Sequence, residues 1–179
     1  TYDMITKVKG LLSIPVFVLI RPRPGDYHYS ANELERMKAD ISFCIENQVD
    51  GVVIGVLNKD KSINDQAISE FLNFAQFLDV TFHRAFDEVN EPIESLQALV
   101  EIGVQRILTS GKKGLATDHL DLIEELLDEA GDDLIIMPGG GIRRQNAHAL
   151  ISLGAKEIHS SCLLPQQAHA DEQEIRDLK

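Results

Sequence analysis

The chain has 179 residues, 44% of them hydrophobic, enough to bury a core and few enough for one domain over 1–179. Its 17 basic and 29 acidic residues give a formal charge of -12, which repels nucleic acid phosphates and anionic lipid and argues against both as partners. No apolar run reaches membrane-spanning length, no basic-then-apolar leader is visible, and two cysteines at no metal-motif spacing suit a reducing compartment, so a cytoplasmic protein is expected.

Residues 1–10 place Met4, Ile5 and Val8 on one face and read as the tail of a helix. Residues 14–20 are apolar and β-branched, as in a strand covered on both sides. Ser30 with Glu33 three residues on predicts a capped helix whose stripe carries Leu34, Met37, Ile41, Cys44, Ile45 and Gln48. Further strands are expected over 51–57, 80–84, 105–110, 133–137 and 156–160. Helices are expected over 64–78, 92–102, 118–130 and 145–153, with Pro92 in a first turn and Gly103, Gly131 and Gly154 just past helix ends. Strands alternating with helices at this spacing predict parallel pairing through right-handed crossovers. Six strands suit a TIM-like (β/α)8 barrel that lacks its first two, because a closed barrel removes the edges that an open sheet leaves bare. A self-associating chain, a homo-oligomer, is the corresponding partner expectation.

In such a barrel all strand ends meet at one rim, and here every strand end is followed by Gly, Pro, Arg, His or Ser. The segment 134–142, LIIMPGGGI, runs from a buried strand into Gly139, Gly140 and Gly141 and then a helix start, which predicts an anion site built on backbone N–H groups and a helix dipole. Ser160 and Ser161 in the neighbouring HSSC would add hydroxyls, and Ser110 ends another strand. Arg21 and Arg23 flank Pro22 as a fork for carboxylate or phosphate, with Arg84 at the next rim position. The acid–base candidates are His83, Asp87 and His159. A histidine near an aspartate can be held in one tautomer as a base, or can bind metal through its free nitrogen. Cys44 sits on the buried helix stripe, which leaves Cys162 as the metal candidate. The partner expected from these residues is therefore a small anion.

Taken in order, IPVFVLIRPRPGDYHYS, DGVVIGVL, VTFHRAFDE, RILTSG, IIMPGGGI and EIHSS resemble the CutC copper homeostasis protein family over residues 1 to about 161. The resemblance implies a TIM-like barrel, a cytoplasmic location, self-association, a role in copper tolerance, and copper as the metal concerned. It also implies a chain that begins within the family's second helix. The implied pocket comprises Arg21, Arg23, His83, Arg84, Asp87, Ser110, Gly139, Gly140, His159 and Ser160. The alternative is a TIM-barrel enzyme acting on a small phosphorylated or carboxylated metabolite at PGGG and HSS.

Overall fold

A computed structural model describes residues 1–178. Helix α1 (Tyr2–Leu11) precedes strand β1 (Phe17–Leu19), and the chain then alternates through α2 (Ala31–Glu46), β2 (Gly51–Ile54), α3 (Asp65–Ala75), β3 (Asp79–Phe82), α4 (Pro92–Ile102), β4 (Arg106–Thr109), α5 (Leu120–Ala130) and β5 (Ile135–Pro138). Two short helices, α6 (Ala147–Ser152) and α7 (Glu172–Asp177), follow. The strands form one parallel sheet in the order β1-β2-β3-β4-β5, the arrangement of a partial (β/α)8 barrel.

Local chemistry accounts for the elements. Ser30 and Glu33 form the reciprocal capping box that opens α2, with the Ser30 N–H donating to the Glu33 carboxylate at 2.8 Å. Met37, Ile41 and Cys44 then lie fully buried along one stripe. Pro92 begins α4, and Gly103 ends it in the left-handed conformation with φ 93°. Alternation along the strands sends Val52, Ile54, Val80, Phe82, Ile107 and Ile136 toward the helices, where they make the core. The residues between them face the concave side of the sheet.

The structure corrects three expectations. Strand 14–20 is not covered on both faces: β1 is an edge strand, and Phe17 and Leu19 are exposed on the concave side. The expected sixth strand at 156–160 is only an isolated parallel bridge between Gly139 and His159, so the sheet has five strands. The cause is Pro138, which has no N–H to donate to a ladder, followed by the turn at Gly140 (φ 116°) and Gly141 (φ 70°). Finally, the glycines do not run straight into a helix, since α6 begins only at Ala147 and has six residues.

Candidate functional site

The concave face of the sheet is an open cleft of about 760 Å³. Phe17, Leu19, Leu108 and Met137 supply its apolar floor, and Arg21, His83, Arg84 and His159 stand at its strand-end rim. At the other end, Arg106 is locked to Glu157 by two hydrogen bonds of 2.6 and 3.0 Å and lies over the Phe17 ring. That arginine is neutralised within the protein. The rim arginines are less fully matched.

The segment HRAFDE organises the rim. Residues Arg84–Glu88 form a 3-10 turn, whose three-residue repeat eclipses Arg84 and Asp87. The guanidinium Nε accordingly donates to the Asp87 carboxylate at 2.7 Å. Its Nη2 donates to Ser110 Oγ at 2.6 Å and to the Gly114 carbonyl at 3.1 Å. Among the described residues Nη1 has no acceptor, so a held guanidinium keeps donors for a ligand. Asp87 is buried and fully engaged, also accepting from Thr109 Oγ1 at 2.6 Å and from the N–H of Ser110 at 2.9 Å. It positions Arg84 and has no free lone pair aimed at a substrate.

His83 caps the same turn. Its Nδ1 accepts the Ala85 N–H at 3.1 Å, so its orientation is set by backbone and not by Asp87. The ring is buried, and Nε2 has no partner. Burial pushes its pKa down to about 4, helped by the charge of Arg21. Tyr27 contacts both groups, its ring tilted 53° to the His83 ring with centroids 5.0 Å apart and lying 4.6 Å from Arg21 Cζ. Arg21 also carries a buried Nε without a partner. His159 lies across the cleft. Partial burial and the Arg84 charge lower its pKa from the usual histidine value, and its ring nitrogens are unbonded among the described residues.

The structure does not bring the remaining candidates into the cleft. Arg23 parts from Arg21 and pairs with Glu33 at 2.6 Å and Asp26 at 2.8 Å. Each of the three glycines makes room for a protein group: a Cβ at Gly139 would meet Leu108, one at Gly140 would meet Ser110, the Gly114 carbonyl and Arg84, and one at Gly141 would meet Leu115. Ser160 Oγ donates to the Ile142 carbonyl at 2.7 Å, and Arg143 reaches both Ser160 and Ser161. The N–H of Arg144, at the turn into α6, is taken by the buried carboxylate of Glu174 at 2.7 Å. Ser110 serves the rim indirectly, as the hydroxyl between Asp87 and Arg84. Gly55 belongs to one of the strand ends that the sequence marks, GVLNKD, whereas Tyr27 carries no signal in the sequence that separates it from other loop aromatics.

For a soft metal ion the donor set is poor. Cys44 lies in the core with its thiol pushed up to about 11 by burial. Cys162 is buried in a left-handed turn (φ 48°) and does not line the cleft. Among the described residues no three His, Cys, Asp or Glu side chains are grouped to hold one ion.

A model described as the CutC family matches residues 1–164. The chain belongs to that family. It is 43% identical over 155 residues to the mouse copper homeostasis protein cutC homolog, an alignment that covers 86% of this chain and 57% of the relative. The chain therefore spans a little over half the length of that relative. A crystal structure described as the putative copper homeostasis protein CutC from Streptococcus agalactiae superposes with a TM-score of 0.85 at 32% identity, covering 89% of this chain and 80% of that one. Deoxyribose phosphate aldolase from Aeropyrum pernix superposes with a TM-score of 0.69 at 19% identity, covering 90% and 71%, and supports the barrel fold alone.

Proposed function

We propose that this CutC-family chain binds a small carboxylated or phosphorylated molecule at the strand-end rim of its cleft. The observation that carries the reading is Arg84, a guanidinium fixed by Asp87, Ser110 and Gly114 with its Nη1 donors left over beside the cleft. A preorganised guanidinium binds an oxyanion with little further ordering. Arg21 adds a second positive charge on the same rim, and the apolar floor fits a carbon skeleton attached to the anionic group. The test is calorimetric titration of the protein with inorganic phosphate and with acetate. Removing one charge-assisted contact in Arg84→Gln should weaken binding about tenfold or more. Equal affinity in wild type and variant would refute the assignment of Arg84.

A role in copper homeostasis is supported by the names of the relatives and the CutC family match. Copper is then cargo or signal, and competition titration with a Cu(I) chelator under reducing conditions tests direct handling. An enzyme acting on the same anion class is favoured by His159, an unbonded imidazole held largely neutral beside Arg84 and suited to accept a proton. A cytoplasmic location is supported by two unpaired cysteines. Self-association of two copies along β1 is supported by the exposed Phe17 and Leu19 on that edge strand, and sedimentation equilibrium reads it. Among the described residues no helix is long and apolar enough to cross a membrane.

A further inference from the structure

We infer that His83 serves the cleft as a neutral Nε2–H donor of fixed tautomer, so that the ligand atom it recognises is an acceptor oxygen and not a metal ion. The inference deepens the anion-site reading above and rests on it. It begins with the Ala85 amide, a group that can only donate. Because that N–H points at His83 Nδ1 from 3.1 Å, Nδ1 must present its lone pair and carry no proton. A neutral imidazole then has its single proton on Nε2.

The alternative states meet the same obstacle. An imidazolium has protons on both nitrogens, and a neutral ring bound to a metal through Nε2 carries its proton on Nδ1. Either would set an N–H against the Ala85 N–H. The ring cannot easily rotate away, since Gly55 packs against Cε1 and Nδ1, and Tyr27 lies alongside. The low pKa agrees with this picture, as the charged form is disfavoured by burial and by the Arg21 charge. Asp87, the nearby carboxylate in sequence, has its oxygens committed to Arg84, Thr109 and Ser110.

What remains is a buried N–H donor without an acceptor, on a residue that lines the cleft. Such a group loses its water on folding and regains a bond only from a ligand. The fitting partner is a carboxylate, phosphoryl or carbonyl oxygen. A neutral histidine donating to such an oxygen also polarises it without itself changing charge, because its proton stays on Nε2.

The experiment uses the full chain labelled with 15N-histidine, followed by two-bond 1H–15N correlation at pH 7. The expected pattern for His83 is a protonated Nε2 and an unprotonated Nδ1. Inorganic phosphate should shift the Nε2 resonance while leaving the tautomer unchanged, and Cu(I) under reducing conditions should leave it in place. His83→Gln, which keeps an amide donor near the Nε2 position, should hold phosphate affinity to within about threefold, whereas His83→Leu should lose about tenfold or more. Both variants remove the Ala85 acceptor, so a purely structural role would move them together. A protonated Nδ1, or a His83 signal moved by Cu(I), overturns the inference. Phosphate that binds through Arg84 yet leaves His83 unmoved overturns the inference alone. No phosphate binding in the wild type sinks the anion-site reading and this inference with it.

Discussion

Gly55 lies directly against His83: a Cβ on Gly55 would overlap the imidazole Cε1 and Nδ1 atoms and approach the Ala85 Cβ to 3.1 Å. The end of β2 therefore sets the position of a ring carried by β3. Gly55→Ala should push the imidazole off the Ala85 N–H and destabilise the fold by about 1–3 kcal/mol, the usual cost of overpacking. Urea unfolding measures the loss. An unchanged midpoint would show that the ring moves freely.

Asp87 gathers Arg84, Thr109 and Ser110 in a buried cluster. Asp87→Ala should cost about 3 kcal/mol, because three hydroxyl or amide donors lose their acceptor and one guanidinium loses its counter-charge. Asp87→Asn should cost less, since one amide oxygen can still accept. Phosphate affinity should fall in both, as Arg84 gains freedom. Denaturant midpoints and calorimetry separate the two effects.

The pH dependence of stability has an upper window set by His83. Its folded pKa of about 4 lies below the unfolded value of 6.5, so the unfolded chain takes up a proton first as pH falls. The stabilisation is complete above pH 6.5 and is lost as pH drops through 6.5 toward 4, by about 3 kcal/mol at most. His83→Gln should flatten that window. Below it, Glu33, held down to about 2 by Ser30 and Arg23, loses its contribution as pH falls from 4.5 toward 2 in wild type and variant alike. Chemical unfolding at a series of pH values tests both windows.

Cys44 should resist thiol reagents in the native state. Its side chain is fully buried on α2 and its pKa is raised to about 11, so almost no thiolate is present at neutral pH. Modification should track global unfolding, with a rate that rises with urea. Rapid labelling in buffer would contradict the packing of α2.

Helix α4 was legible from end to end, because Pro92 and Gly103 are local signals whose meaning does not depend on distant residues. The Ser30–Glu33 capping box was legible for the same reason. The segment 156–160 has the apolar alternation of a strand, yet it meets its neighbour only where β5 ends at Pro138 and turns at Gly139, so a single bridge forms in place of a ladder. At the site, Arg21, His83, Arg84 and His159 were found as strand-end residues and do share the cleft. The division of labour among them was hidden. That Asp87 serves Arg84 instead of His83 follows from a 3-10 turn, and that Arg106 is neutralised by Glu157 follows from a contact between residues 51 apart in sequence.

Strand order in this sheet is also chain order, with Phe17 opposite Gly51, Gly51 opposite Asp79, Thr81 opposite Arg106, and Arg106 opposite Ile135. Each ladder thus joins successive βα units, and no strand must wait for a distant part of the chain. Assembly can spread by adding each unit to its sequence neighbour, every addition closing one βα crossover. The rim is assembled by the same sequence of events: His83 and Arg84 arrive with β3, but their partners Gly55 and Ser110 come from the units on either side. The His83–Arg84 part of the rim should therefore form once the β2-β3-β4 block has closed, and full ligand binding only after β1 docks and brings Phe17, Leu19 and Arg21.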